Sequence, residues 1–218
     1  MTRLLLLAFA ALLLAPAAQA QDLARETAQV EDLRSIREIK RLQAEWGYRA
    51  IAGDWKGMGE SAGGGLAASL ALMARDRKGP KLAGQVLIYP MLDWRTGGPD
   101  DRYKNRHTGE FIWTREKNRY GWEALRGDYN PRDERKAWFS PALADDLAGV
   151  APAYISTGAL DLFLDEDLDY ARRLVDCGVQ TELHVYPGAI HAFELVPETG
   201  LAAQAAMDLR RGIGRLLG

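Results

Sequence analysis

The chain alternates between short apolar runs and longer segments in which apolar residues recur every three or four positions. Three short runs predict strands, over residues 85–90, 153–157 and 182–186, and the continuous apolar run at 85–90 is consistent with burial on both faces. The periodic segments predict amphipathic helices, over residues 22–47, 61–75, 114–126, 165–177 and 198–217. Strands that alternate with helices are typical of an α/β fold with a parallel sheet covered on both faces.

Residues that favour helix ends support three of these boundaries. Thr114 and Asp165 stand where their helices begin, and each has a side-chain oxygen that can cap free backbone N–H groups. Gly178 follows the fourth helix and is suited to the left-handed conformation that commonly ends one. The sequence therefore predicts Thr114 and Asp165 as N-caps and Gly178 as a C-terminal stop.

The N-terminus has the three parts of a secretory signal peptide. Arg3 supplies the positive charge, Leu4–Leu14 the apolar core, and Ala18–Ala20 an Ala-x-Ala cleavage site. The apolar core is too short to span a bilayer as a helix. A buried core helix is the alternative, although it would have no polar face. We expect a signal peptide over residues 1–20, a periplasmic or secreted protein, and no stable membrane span after cleavage.

Composition and charge narrow the class of protein. Of the 218 residues, 27% are charged and 47% hydrophobic, which is ordinary for a globular protein. The net charge of -2, with no basic run among aromatic residues, gives no indication of a nucleic-acid partner. The single cysteine, Cys177, cannot form an internal disulfide.

The most specific motif is Gly-x-Ser-x-Gly at residues 59–63. It is the pattern of a nucleophile elbow, in which a serine stands on a sharp turn between a strand and a helix. We expect glycine at both flanking positions because a side chain there would collide with its neighbours. A chance match is the alternative, and a phosphate loop is disfavoured because no Lys-Ser/Thr follows the glycines.

An acid and a base follow Ser61 in the order used by α/β-hydrolases. Asp161 comes after the run at residues 153–157, and His191 comes after the run at 182–186. Loops at the carboxyl ends of parallel strands meet at one edge of the sheet, where ligands bind. Nearby residues have simpler interpretations: Glu166, Asp167 and Asp169 as a solvated acidic face, His184 as structural, and His107 as solvated.

The chain resembles the hormone-sensitive-lipase-like branch of the α/β-hydrolases, a group of carboxylesterases. Five blocks carry the resemblance: Met58–Ala68, Leu87–Pro90, Ser140–Leu147, Asp161–Glu166 and His184–Phe193. The resemblance implies a partial α/β-hydrolase fold, with Ser61 as nucleophile, Asp161 as orienting acid and His191 as base. It also implies small-molecule ester substrates with short acyl chains, and no metal or organic cofactor.

The sequence departs from that family upstream of the elbow. The family carries a His-Gly-Gly-Gly motif there, whose backbone N–H groups form part of the oxyanion hole. No histidine precedes Ser61. The N–H of Ala62, the residue after the nucleophile, is therefore the predicted oxyanion donor, and the loss of one such donor typically costs about 10²–10³ in turnover.

The resemblance also suggests how the chain is divided. Residues 30–58 weakly resemble the first helix of SnoaL-like proteins, which are cone-shaped α+β domains. We predict a signal peptide over 1–20, a helical segment over 21–57, and a partial hydrolase domain over 58–218. A polar, aromatic insertion over 95–137 is predicted either to cover the acyl site as a cap or to be a surface insertion with its own small core; it contains Trp113 and Trp122, and Trp138 follows it.

Three functions compete at this stage. The first is a serine carboxylic-ester hydrolase that uses Ser61, His191 and Asp161. The second is a non-catalytic, truncated or chimeric remnant of an esterase, whose exposed sheet edge could mediate self-association. The third is a SnoaL-like binding module, which would require a curved antiparallel sheet that the residues after 58 do not predict.

Overall fold

The computed structural model describes residues 59–126 and 135–218. The predicted signal peptide, the helix at 22–47 and the SnoaL-like segment lie outside the described residues, so these remain predictions.

A parallel sheet forms the centre of the described chain. Its strands lie in the order β1, β2, β3, with bounds Gln85–Ile88, Ala153–Gly158 and Thr181–Tyr186. Five helices accompany it: α1 (Ala62–Asp76), α2 (Arg115–Arg126), α3 (Lys136–Phe139), α4 (Leu164–Asp176) and α5 (Gly200–Leu217). The three predicted strands and the parallel α/β arrangement are confirmed.

The register of the strands brings their carboxyl ends to one edge of the sheet. Ile88 pairs with Ser156, and Ser156 pairs with His184. The loops after β2 and β3 therefore emerge side by side. A further parallel bridge joins Glu60 to Ile88, which places the start of α1 at the same edge.

Apolar side chains cover both faces of the sheet. Successive residues of a strand point to opposite faces, so Leu87 and Ile155 pack in one cluster with α1 and α4 while Val86 and Tyr154 pack in another with α5. All four residues of β1 and all six of β2 are buried. Burial on both faces explains why neither strand contains a charged residue or alternates strictly between apolar and polar positions.

The predicted caps have mixed outcomes. The Thr114 hydroxyl accepts a hydrogen bond from the N–H of Lys117 at 3.4 Å, as expected of an N-cap. Gly178 follows α4 with φ of 75°, which confirms the predicted stop. The prediction for Asp165 is wrong: α4 begins at Leu164 with Phe163 at the N-cap, so Asp165 lies within the first turn.

Strand β3 has a sheet neighbour on one side only within the described residues. Leu183 and Val185 on this strand are 38% and 41% exposed. Self-association through a sheet edge remains a prediction. In the described part of the chain, no helix combines the length and apolar character needed to cross a membrane.

Candidate active site

Ser61 stands on a strained turn between the bridge at Glu60 and the first residue of α1. Its backbone has φ of 52° and ψ of -119°, a conformation that L-residues seldom adopt. The Ser61 N–H donates to the Ile88 carbonyl at 2.9 Å, and the N–H of Met91 donates to the Ser61 carbonyl at 3.0 Å. Strand β1 and the residues after it therefore hold the serine backbone in the strained conformation.

The glycines around Ser61 have different roles. Gly59 has φ of 72°, a backbone conformation that favours glycine. The expectation for Gly63 is wrong, since an added Cβ there meets nothing within 4 Å. The close contacts occur one and two residues later: a Cβ on Gly64 would lie 2.4 Å from the Gly59 carbonyl oxygen, and one on Gly65 would lie 2.1 Å from that of Met91. These two glycines let α1 pack directly against the turn.

Asp161 lies in a tight turn immediately after β2. The Asp161 N–H donates to the Gly158 carbonyl at 3.1 Å, and one carboxylate oxygen, Oδ1, accepts from the Phe163 N–H at 3.0 Å. The side chain is fully buried. The turn thus fixes one carboxylate oxygen and leaves the other, Oδ2, to face a neighbouring loop.

The loop after β3 brings His191 to that oxygen. Nδ1 of His191 lies 2.8 Å from Oδ2 of Asp161, and the imidazole is buried. The carboxylate accepts a hydrogen bond from Nδ1–H, so Nε2 is the ring nitrogen that is left as an acceptor. Sequence reasoning placed these two residues at one edge of the sheet, and the structure brings them into hydrogen-bond contact.

Two backbone features hold the acid and histidine loops together. The Leu160 N–H donates to the Ala189 carbonyl at 2.9 Å. A Cβ added to Gly158 would lie 2.4 Å from the same carbonyl oxygen. Only glycine allows this approach, so Gly158 sets the spacing on which the contact between Asp161 and His191 depends.

Within the described residues, no hydrogen bond joins the Ser61 hydroxyl to His191. Tyr89 connects their surroundings instead. It follows Ile88, which accepts from Ser61, and its N–H donates to the Ser156 carbonyl at 2.6 Å. Its ring lies against His191, with centroids 4.7 Å apart. The serine and the imidazole are therefore placed by a common neighbour.

Ala62 is the first residue of α1 and is exposed. The first N–H groups of a helix have no partner within the helix, and the helix dipole places partial positive charge there. The Ala62 N–H is thus available at the end of the helix next to Ser61. This is the position that the sequence predicted for an oxyanion donor.

Two acidic residues predicted to be solvated are in fact buried. Glu166 is 1% exposed and accepts from the N–H groups of Leu92 at 2.7 Å and Asp93 at 3.2 Å. Asp167 is 0% exposed, and its carboxylate interacts with the Thr157 hydroxyl but makes no hydrogen bond of good geometry. Burial raises the pKa of both carboxyl groups well above their usual values, and Asp93 adds to the shift at Glu166.

Helical spacing could have indicated these buried positions. Asp167, Tyr170, Ala171 and Leu174 follow one another at intervals of three, one and three residues, and all four are buried. This is the spacing of one helix face. For Asp167, helical periodicity therefore predicts burial correctly, whereas charge alone predicts exposure to solvent.

The other two histidines have the roles predicted for them. Nε2 of His184 lies 2.7 Å from Glu182, and its ring stacks on Tyr186 at the side of the sheet covered by α5. His107 is exposed. Neither is close enough to Ser61 to form a hydrogen bond with it.

The three tryptophans occupy different environments. Trp113 lies 6.0 Å from His191 between ring centroids. Trp122 is buried with Met91, Leu162 and Phe163 in a third cluster, apart from the two that cover the faces of the sheet. Trp138 donates its indole N–H to Asp76 and lies under the guanidinium of Arg77. Of the three, Trp113 is the one in ring contact with the histidine.

Comparison with known sequences gives the family. The sequence model of the α/β-hydrolase fold matches residues 12–195. The chain belongs to the α/β-hydrolase family. Esterase LipI of Mycobacterium tuberculosis is 30% identical over 176 residues, which is 80% of this chain and 51% of that protein. An arylesterase of Saccharolobus solfataricus is 34% identical over 146 residues, 65% of this chain and 44% of that protein.

Solved structures agree with this assignment. A bacterial heroin esterase superimposes with a TM-score of 0.65 and 34% identity, covering 73% of this chain and 50% of that chain. Esterase LipW of Mycobacterium marinum superimposes with a TM-score of 0.62 and 32% identity, covering 73% of this chain and 48% of the LipW chain. The resemblance to the hormone-sensitive-lipase-like esterases is confirmed, and the chain spans about half the length of the relatives it matches.

Proposed function

We propose that the chain is a serine carboxylic-ester hydrolase that acts on small-molecule esters with short acyl chains. The observation that carries the proposal is the contact between His191 and the buried Asp161, at the same sheet edge as a serine in a strained elbow. Relatives named as esterases support the reaction class. Together they favour acyl transfer from an ester to water.

Each residue has a defined role in this reaction. The Ser61 oxygen attacks the ester carbonyl while Nε2 of His191 accepts its proton, and Asp161 stabilises the resulting imidazolium. The Ala62 N–H donates to the oxygen that becomes negative. His191 then returns the proton to the leaving alcohol, and water releases the acid in a second cycle. Hydrogen bonds between nucleophile and base are often loose without substrate, so contact between Ser61 and His191 is expected to form on binding.

The alternative is a non-catalytic protein that keeps the hydrolase fold. It is favoured by the sequence before Ser61, which contains neither a histidine nor the His-Gly-Gly-Gly motif. Ala62 would then be the one oxyanion donor that the family resemblance accounts for.

Hydrolysis of p-nitrophenyl acetate and labelling by a fluorophosphonate separate the two functions. The hydrolase is expected to release p-nitrophenol and to gain one adduct on the peptide that contains Ser61, and Ser61→Ala should abolish both. Ser69→Ala is the matched control, because Ser69 is a buried serine within α1. A folded protein that neither turns over the ester nor reacts with the fluorophosphonate would establish the non-catalytic alternative.

We also propose export to the periplasm or outside the cell, on the basis of the signal peptide predicted at residues 1–20. Expression of the full chain in a bacterium, followed by N-terminal sequencing of the periplasmic fraction, tests this. A mature chain that begins at Gln21 is the expected result. Uncleaved protein confined to the cytoplasm would contradict it.

A further inference from the structure

Three aromatic rings surround the imidazole of His191. Their centroids lie 4.7 Å away for Tyr89, 5.4 Å for Phe163 and 6.0 Å for Trp113. Tyr89 is 3% exposed and Phe163 is 0% exposed, whereas Trp113 is partly open to solvent. Of these three rings, the indole of Trp113 is therefore the one that a bound molecule can contact.

A buried amide fixes the orientation of this indole. The Trp113 Nε1–H donates to Oδ1 of Asn118 at 3.1 Å, and Nδ2 of Asn118 donates to the Thr96 carbonyl at 2.8 Å. Asn118 is 0% exposed. A side-chain amide that is buried and bonded at both ends has little rotational freedom, so it holds the indole in one position.

The helix that carries Asn118 also leaves space for the indole. A Cβ added to Gly121 would lie 3.3 Å from Cζ2 of Trp113. That distance is shorter than an ordinary van der Waals contact, and glycine avoids the crowding because it has no Cβ. Asn118 and Gly121 lie three residues apart on α2, on the same side of the helix.

The backbone before Trp113 is strained. Ile112 has φ of 57°, an outlier for a β-branched residue, and the Trp113 N–H donates to the Phe111 carbonyl at 2.6 Å in a tight turn. The Ile112 side chain is 53% exposed, so its own burial does not offset the strain. Strained residues cluster at functional sites, where the surrounding structure holds them. Here the strained turn is the one that directs Trp113 toward His191.

We infer that Trp113 is a specificity-determining residue that packs against the leaving alcohol of the ester and favours planar aromatic alcohols over small alkyl ones. The inference rests on the proposed function, because His191 returns its proton to the leaving oxygen and the alcohol must therefore lie beside that imidazole. An indole face held at that place offers a flat apolar surface. Aromatic groups gain more from such a surface than alkyl groups of two carbons.

Binding without hydrolysis tests the inference directly. In the Ser61→Ala background, saturation-transfer NMR measures the dissociation constants of phenyl acetate and ethyl acetate. Phenyl acetate is expected to bind more tightly, and Trp113→Ala should weaken its binding about tenfold while it changes ethyl acetate little. Trp113→Phe keeps an aromatic ring and should restore most of the difference. Trp138→Ala is the matched control, since Trp138 packs against Arg77 away from His191.

Two results would overturn the inference. One is a Trp113→Ala protein that keeps its thermal melt and binds phenyl acetate as tightly as the parent. The other is a preference for phenyl over ethyl acetate that Trp138→Ala reduces as much as Trp113→Ala does. If the melt of Trp113→Ala shows misfolding, Trp113→Leu provides the same comparison with an apolar side chain of intermediate size.

Hydrolysis in the Ser61 protein separates this inference from the proposed function. The ratio of kcat/KM for phenyl acetate to that for ethyl acetate should be lower for Trp113→Ala than for the parent. The greater intrinsic reactivity of the phenyl ester is the same in both proteins, so it does not affect this comparison. Hydrolysis with an unchanged ratio would overturn the inference and leave the hydrolase assignment intact. If the parent protein does not hydrolyse esters but still binds phenyl acetate in a way that depends on Trp113, the hydrolase assignment is overturned and the contact of Trp113 with aromatic groups stands.

Discussion

The ring of Tyr89 lies 4.7 Å from the imidazole of His191, and the backbone of Tyr89 directly continues from the residue that accepts the Ser61 N–H. Tyr89 itself has φ of 37°, so its backbone is strained as well. Ser61 and His191, the proposed nucleophile and base, come from segments far apart in sequence. This tyrosine is in contact with the surroundings of both.

Replacing the Tyr89 ring should therefore lower kcat by more than the accompanying loss of unfolding free energy can explain. We expect Tyr89→Leu to lower kcat about 10- to 100-fold, the loss that a small misplacement of a catalytic group can produce. Tyr89→Phe keeps the ring and should retain most activity. The measurement is kcat and KM for p-nitrophenyl acetate, alongside urea unfolding.

Tyr154→Leu is the matched control for the tyrosine. Tyr154 is buried in the same apolar cluster, but its ring contacts His184 rather than His191. Both leucine variants should lose about 1–3 kcal/mol of unfolding free energy. If Tyr154→Leu lowers kcat as much as Tyr89→Leu, the effect is one of general stability and the positioning role of Tyr89 is wrong.

The Asp161 carboxylate should matter for turnover far more than for binding. Asp161→Asn keeps the side-chain shape but removes the charge and can place an N–H toward Nδ1, which favours the wrong imidazole tautomer. A fall in kcat of about 10⁴ is expected by comparison with serine proteases, with KM little changed. Steady-state kinetics measure this. Asp165→Asn, four residues along the same segment, should leave kcat within about twofold of the parent.

Gly158 should be intolerant of even a methyl group. A Cβ there would lie 2.4 Å from the Ala189 carbonyl oxygen, so Gly158→Ala must push the histidine loop away from the acid loop. We expect a loss of about 1–3 kcal/mol of unfolding free energy and a fall in kcat. Gly214→Ala is the control, because a Cβ at this position in α5 meets nothing within 4 Å. It should be neutral or stabilising by up to about 1 kcal/mol.

Much of this sheet edge could be predicted because its signals are local. Strands β1 and β2 are buried on both faces and contain no charged residue, and the loops that carry Asp161 and His191 follow β2 and β3. The parallel register then brings them together. The order of Ser61, Asp161 and His191 along the chain also identifies them as a candidate set, since this order follows from the topology of the fold and can be read without any distance.

The features that sequence reasoning missed depend on tertiary contacts. Nothing local to Gly64 or Gly65 shows that backbone oxygens of Gly59 and Met91 will lie against them. The contact of Trp113 with His191 spans a long separation in sequence and follows from a strained turn at Ile112. Charge alone suggested solvent for Glu166, although backbone N–H groups from the loop after β1 surround it.

Asp167 should make the stability of the protein depend on pH. Its carboxyl group is fully buried, with an interaction with the Thr157 hydroxyl that is too poor in geometry for a good hydrogen bond, and burial raises its folded-state pKa well above the usual value. A raised folded-state pKa means that the folded protein holds a proton that the unfolded chain releases. The contribution to stability is therefore full below the unfolded-state pKa, about 3.9, and is lost as pH rises toward the folded-state pKa.

Asp167→Asn removes this ionisation while nearly keeping the shape of the side chain. At pH 8 we expect the free energy of unfolding in urea to be about 1–3 kcal/mol higher for the variant than for the parent. The variant should also lose less stability than the parent between pH 5 and pH 8. Asp176→Asn is the control on the same helix, since Asp176 is exposed in an ion pair with Arg172 and should change stability by less than about 1 kcal/mol. If the free energy of unfolding of Asp167→Asn changes with pH as steeply as that of the parent, the ionisation of Asp167 does not contribute to the pH dependence of stability.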